Sequence, residues 1–195
     1  MPRTRSASAH QKVLQAALEL VAEHGVDGTS MDAVARESGV SKATIYKHWA
    51  DKEALLLEML ADASGLHSRP KFDSGDTRAD VIDLLSYRPP ENAAVRERIL
   101  PHVVAYSARN RTFGLTWRKM VMDPATRELR HLIERAIQKR ELKPKVNIEL
   151  ALGLLLGPML YWYIFQKDQD VPADLRPRAV GVVDAFFKAF GTAQR

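Results

Sequence analysis

The chain predicts an all-α fold, an N-terminal three-helix helix-turn-helix unit followed by a larger C-terminal helical domain, on three observations. Apolar residues recur at three- and four-residue spacing from Val13 to Phe190. No run of alternating polarity is long enough to make a useful strand. Glycine, proline or helix-capping residues stand between the periodic segments.

Residues 1–9 place Arg3 and Arg5 among small polar residues, with no apolar signal-peptide core behind them, and read as a disordered basic arm. The first helix is expected from His10 to His24, with Val13, Leu14, Ala17, Leu18 and Val21 as its apolar stripe and Gly25 as its end. A second begins near Thr29 or Ser30, either of whose hydroxyls can accept from an orphan N–H, with Asp32 completing a capping box from Thr29. Met31, Val34 and Ala35 fall on its inward face. Ser38-Gly39-Val40-Ser41 is the turn, where Gly39 can take the left-handed conformation that ends a helix without a Cβ clash. Ser41 then caps a short helix, Lys42 to Trp49, held down by Ile45 and Trp49, four apart on one face.

Asp51 caps the next helix, whose Leu55, Leu56, Met59 and Leu60 run toward Gly65. Residues 10–50 are thus expected to form the helix-turn-helix unit, 51–66 a linking helix and 67–195 the second domain, with a polar loop from Ser68 to Thr77 at the boundary. Within that domain helices are expected over Arg78–Tyr87, stopped by Pro89-Pro90, and over Glu91–Asn110, kinked or restarted at Pro101. A long helical stretch from Thr112 to Leu142 should bend near Asp123-Pro124, and Lys143-Pro144-Lys145 breaks the chain again. Asn147 can cap a helix containing the apolar run Leu150–Phe165, which at 16 residues is short of the roughly 20 that span a membrane. The last helix is expected from Ala173 to Phe190, closed by Gly191.

The side of Lys42–Trp49 opposite Ile45 and Trp49 carries Lys42, Ala43, Thr44, Lys47 and His48. A helix entering the major groove end-on touches base edges with its first residues, where small side chains permit close approach. Lys42, Ala43, Thr44 and Lys47 are therefore assigned to bases, with His48 on the same face. Thr29, Tyr46 and Lys52 are assigned to phosphates, Lys52 bringing a cation and a helix N-terminus to the same backbone. The net charge of +5 agrees with a nucleic-acid partner, but Arg3, Arg5, Lys12, Arg36, Lys42 and Lys47 are offset by five carboxylates before residue 50, so geometry must carry the reading.

The run GVSKATIYKHWADKEALLLEML resembles the DNA-binding signature of the tetracycline-repressor-like (TetR) family of bacterial transcription regulators. The resemblance extends from about His10 to Leu60 and is most specific from Gly39 to Leu56; Trp49 stands where phenylalanine is common and Ala50 where proline is. It implies a sequence-specific regulator, a repressor released from its operator by a small effector held in a central cavity, with the helix from Asp51 as the lever. Seven residues are expected to line that cavity: His102, Tyr106, Asn110, Phe113, Trp117, Met120 and Trp162. Their aromatic and thioether character favours an apolar or amphipathic ligand.

Two C-terminal helices with surplus apolar area predict a homodimer joined as a four-helix bundle. Its seam is assigned to Leu152, Leu156, Met159, Leu160, Val180, Val183 and Phe187, with Gly153, Gly157 and Gly181 allowing close approach. A palindromic double-stranded operator asks for the same two-fold, since one reading helix contacts few base pairs. The alternative is a helical small-molecule-binding protein or enzyme with a vestigial helix-turn-helix. The motifs do not favour an enzyme, because no HExxH, phosphate loop or serine elbow occurs, and no metal or cofactor is expected. The absence of cysteine suits a reducing cytoplasm.

Overall fold

A computed structural model describes residues 3–65, 69–88, 93–165 and 174–192. Its helices are α1 (Arg3–Gly28), α2 (Met31–Ser38), α3 (Lys42–His48), α4 (Lys52–Ala63), α5 (Thr77–Ser86), α6 (Ala93–Arg109), α7 (Arg111–Trp117), α8 (Asp123–Gln138), α9 (Ile148–Phe165) and α10 (Arg176–Phe190). No strand forms among the described residues, so the all-α expectation holds. The stop at Pro89-Pro90 and the helix starts expected at Glu91 and Ala173 lie outside the described residues.

Helix α1 starts at Arg3, within the stretch read from sequence as a disordered arm. Ser6, Ala7, Ser8 and Ala9 contain no breaker, so the turn of the following amphipathic helix propagates through them. The predicted stop at Gly25 appears as a kink: Gly25 has φ 72°, and a Cβ there would stand 3.2 Å from Nδ1 of His102. Only glycine supplies both the backbone angle and the clearance.

The chain folds as two compact units, each assembled from separated stretches: 1–68 with 89–122, and 69–88 with 123–195. In the first unit α1 packs against α2, α4 and α6, and α4 against α7. Val13, Leu18, Val21, Val34, Ile45, Leu55, Leu56 and Met59 form its core together with Val103 and Phe113 from α6 and α7. A three-helix domain of this size buries too little surface for independent stability. The chain meets that need with α4 and also with the α6–α7 hairpin. Arg98 reaches the Ala22 carbonyl, Arg109 the Asp27 carboxylate, and Tyr106 the Glu53 carboxylate.

Between α7 and α8 the predicted bend is a π-turn over Arg118–Met122. Pro124 has no N–H to return to the carbonyl four residues earlier, so the α-helical ladder cannot run through unchanged.

In the second unit α10 packs on α5 and α9, while α8 packs on α5 and α9. Val81, Leu129, Ile133, Leu142, Leu155, Ala179, Val183 and Phe186 lie at its centre. Asp80, 1% exposed, is the buried charge of this core; it is paired with Arg135 and accepts from the Ser74 N–H at 3.0 Å. Burial alone would raise its pKa, but the hydrogen bonds from Ser74 and the Arg135 guanidinium outweigh burial and hold the carboxyl below its ordinary value. Asn147 caps α9 through the Leu150 N–H at 3.1 Å, as its position predicts. Among the described residues no helix is long and apolar enough to cross a membrane.

Candidate nucleic-acid interface

The corner before α2 is built by two adjacent hydroxyls with different tasks. Ser30 is the N-cap, accepting from the Ala33 N–H at 3.1 Å. Thr29 is 2% exposed and donates its hydroxyl to the Gly25 carbonyl at 2.8 Å, closing the α1–α2 corner. The hydroxyl assigned from sequence to a phosphate is thus spent inside the unit, and the neighbouring Ser30 is the exposed one.

Gly39 follows α2 with φ 66° and ψ 16°, the left-handed cap expected of it. Ser41 accepts from the Thr44 N–H at 3.2 Å, and its hydroxyl lies 2.8 Å from that of Thr44. Seven residues of α3 follow, and their division is sharp. Ile45 is 1% exposed and Trp49, the C-cap, 2%, while Lys42, Ala43, Thr44, Tyr46, Lys47 and His48 are all exposed. The first turn of α3 therefore offers a cation, a methyl and a hydroxyl with nothing bulky between them, the profile a major-groove floor accepts.

The cations differ in how free they are. Lys42 pairs with Asp32 at 2.7 Å across the α2–α3 corner, an exposed pair of small energetic worth. Lys52 points inward: its ammonium donates to the Val26 carbonyl at 3.0 Å and lies 5.9 Å from the centre of the Tyr106 ring. Asp51 caps α4 through the Ala54 N–H at 2.8 Å.

Behind α3 lies a contact set that sequence periodicity does not reveal. Glu58 of α4 accepts the Trp49 indole N–H on one carboxylate oxygen at 2.7 Å, and its other oxygen lies 2.7 Å from Nε2 of His10 on α1. The His10 ring lies 4.7 Å from the indole and 5.7 Å from the His48 ring. His10 precedes Glu58 by 48 residues, a separation no local pattern encodes.

The residues expected to line an effector cavity divide between the two units. His102 stands against Gly25, and the Asn110 amide donates to the Tyr106 carbonyl at 3.2 Å. Tyr106 and Phe113 meet edge to face at 5.0 Å, and Phe113 is 1% exposed, so both are core. The Tyr106 hydroxyl donates to Glu53 at 2.9 Å; burial, then this bond to a carboxylate, raise its pKa above that of an ordinary phenol. Trp117 is half-buried against the same core, whereas Met120 is exposed. Trp162 belongs to the second unit, with the Arg178 guanidinium 5.1 Å from its ring centre.

On the second unit, α9 and α10 leave an open apolar groove of about 780 Å³ along Leu154, Pro158, Trp162, Gly181, Val182 and Ala185. Leu150, Leu154, Tyr161 and Phe165 are large apolar side chains exposed on α9. The residues assigned from sequence to the seam differ in how far the single chain covers them. Leu152, Met159 and Val183 are buried in single-chain structure, and Leu156, Val180 and Phe187 pack partly buried on the unit's core. Leu160 is half-buried. An all-apolar helix offers no polar face to orient it, so the sequence could not tell which stripe meets α8 and α10 and which stays open. Gly153, Gly157 and Gly181 are exposed, with open space where a Cβ would stand.

A tight glycine-turned helix pair with an exposed, small-residue second helix, followed by a second helical unit, defines a helix-turn-helix DNA-binding protein with an appended helical domain. Residues 13–59 match the family of bacterial regulatory proteins, tetR family, and residues 72–183 match the tetracyclin repressor-like C-terminal domain. The chain belongs to the TetR family and is a DNA-binding transcription regulator. It is similar to the HTH-type transcriptional regulator YdeS of Bacillus subtilis, 26% identical over 167 residues, covering 86% of this chain and 84% of that one. The DNA-binding transcriptional repressor TetR of Mycobacteroides abscessus is 27% identical over 147 residues, 75% of each chain. In fold it is similar to the transcriptional regulator FadR from Bacillus subtilis in complex with stearoyl-CoA, with a TM-score of 0.66 at 16% identity, covering 91% of this chain and 97% of that one. Regulators of this family bind DNA and act as dimers.

Proposed function

We propose that the protein is a cytoplasmic homodimeric repressor that reads a palindromic operator and leaves it when a small apolar or amphipathic effector binds. The observation that carries the reading is the division of α3: Ile45 and Trp49 anchor it, while Lys42, Ala43 and Thr44 stand exposed on its first turn. In this reading residues 10–50 bind DNA, 51–66 link, and 67–195 hold the effector and the partner chain. Lys42, Ala43, Thr44 and Lys47 face bases, with His48 beside them and Tyr46 on a phosphate. Lys52 reaches a phosphate only by leaving the Val26 carbonyl, and Lys42 reaches a base edge only by leaving Asp32, so DNA competes with two contacts inside the unit.

Repression is supported by the relative named a transcriptional repressor. An effector of apolar character is supported by the stearoyl-CoA complex of the structural relative. Such a ligand can shift the protein off DNA only if it binds the released state more tightly than the bound one. Half-buried Trp117 and exposed Met120 are more available to it than Phe113. The role is regulatory, without catalysis. Dimerisation through α9 and α10 is supported by their open apolar groove.

The test is selection of a duplex from a random-sequence library by the full-length protein, followed by titration at several salt concentrations. Lys47→Ala is expected to lower the salt slope by about one unit if its ammonium also neutralises a phosphate. Thr44→Ala is expected to change the preferred sequence at one position of each half-site while leaving the slope alone. Recovery of no preferred sequence by the wild-type protein would refute the reading.

A further inference from the structure

Seven residues make fewer than two helical turns, and a helix that short has no stability of its own. The pose of α3 is therefore imposed by what holds it. At its start Ser41 caps it, in its middle Ile45 enters the core, and at its end Trp49 is buried. Apolar burial is non-directional, so Ile45 fixes depth and leaves rotation open. At the far end of α3 from the exposed Lys42–Asp32 pair, a directional bond joins the Trp49 indole N–H to Glu58 at 2.7 Å.

We propose that Glu58 is a positioning residue for DNA reading, setting the angle at which α3 presents its first turn by clamping Trp49 to α4 and to His10 of α1. The carboxylate is occupied on both oxygens, by the indole on one and His10 on the other, and the His10 ring rests 4.7 Å from the indole it helps to hold. A carboxylate held at two points cannot swing with the indole, so the end of α3 is referenced to two other helices at once. The lever arm makes this matter. At 1.5 Å per residue α3 is about 10 Å long, and a 10° rotation about its Trp49 end carries Lys42 about 2 Å, several times the roughly 0.5 Å that a functional contact tolerates.

The proposal rests on the DNA-binding role of α3, and it makes a prediction opposite in sign to simple electrostatics. Glu58 is about half exposed and negative, so its removal should by charge alone strengthen DNA binding. A positioning role requires the reverse for the preferred sequence. Full-length wild type, Glu58→Ala, Glu58→Gln, Trp49→Phe and the Trp49→Phe/Glu58→Ala double variant would be titrated with the duplex that wild type selects and with an unrelated duplex of equal length. Thermal melts would fix a measuring temperature at which each is folded.

The expected result for Glu58→Ala is a loss of about tenfold on the selected duplex, the effect of one weakened base contact, with equal or tighter binding of the unrelated duplex. The salt slope stays unchanged because no phosphate contact is removed. Trp49→Phe keeps the ring, loses the N–H, and shows the same drop. The double variant is no weaker than Glu58→Ala, since the two changes break one interaction. Glu58→Gln retains an acceptor oxygen for the indole and recovers most of the loss. A wild-type ratio of specific to unrelated binding in Glu58→Ala, or additive losses in the double variant, would overturn the proposal. Should Glu58→Ala not fold, Trp49→Phe decides by the same ratio. Failure of wild type to select any sequence is a separate result, and it removes the DNA reading together with the proposal built on it.

Discussion

The open face of α9 and α10 is best tested at Tyr161, which is 55% exposed in the single chain and stacks its ring 5.4 Å from that of Phe165. A tyrosine side chain offers about 200 Å² to bury, so about 110 Å² waits to be covered at this position. At about 25 cal/mol per Å², covering it contributes up to about 3 kcal/mol in each copy. An isologous interface repeats every substitution, so Tyr161→Ala removes up to about 6 kcal/mol from the dimer. Half of that is the more realistic figure, since association also costs side-chain ordering and the groove relaxes around a smaller residue. A loss of about 3 kcal/mol raises the dimer dissociation constant more than a hundredfold. Sedimentation equilibrium over a range of concentrations reads this directly, with Met120→Ala as a control on an exposed residue outside this face. Operator affinity should fall with dimerisation, while binding of unrelated DNA by the monomer persists. A Tyr161→Ala protein that dimerises like the wild type would refute the assignment of this face, and a wild type that stays monomeric would refute the dimer.

The buried pair in the second unit predicts a pH signature. Because the folded pKa of Asp80 is depressed, its ionised form contributes stability above the unfolded value near 3.9, and that contribution is lost as pH falls through the lower folded value. Arg135→Ala leaves a carboxylate buried without its guanidinium and should cost about 3 kcal/mol at neutral pH, the lower end for a broken buried pair because Arg135 is partly exposed. The deficit should shrink as pH falls below the unfolded value near 3.9 and on through the lower folded value, as Asp80 takes up its proton; urea melts at several pH values check this, and a deficit independent of pH would refute the electrostatic account. Gly39→Ala should destabilise by about 1 kcal/mol through its left-handed backbone angle alone, since no atom lies within 4 Å of the added methyl. An unchanged melting temperature would show that the corner relaxes without strain.

The reading head was largely legible from residues alone because its determinants are local. Ser30, Ser41 and Asp51 cap the three helices whose starts they mark, Gly39 takes the left-handed turn, and Ile45 and Trp49 are buried as their four-residue spacing requires. The caps and the turn are decided by neighbours within one helical turn, and the spacing of Ile45 and Trp49 marks the face that the core then covers. Thr29 shows the limit of that logic. Beside Ser30 it is an equivalent hydroxyl by sequence, and only the path of the chain after Gly25 turns it inward to a carbonyl.

Elsewhere the information is in long-range partners. That α6 and α7 belong with the DNA-reading helices depends on contacts among Gly25, Asp27, Glu53 and residues from Arg98 to Phe113, which no periodicity links. The stripe that α9 keeps open could not be read from a helix apolar on every side. By itself the sequence determined where most helices run, the caps of α2, α3 and α4, the glycine turn and which side chains α3 leaves exposed, because these follow from spacing and backbone preference. The tertiary structure decided which apolar stripes are core, that Lys52 and Thr29 turn inward, and that His10, Trp49 and Glu58 meet, because only folding sets which distant side chains share a hydrogen bond.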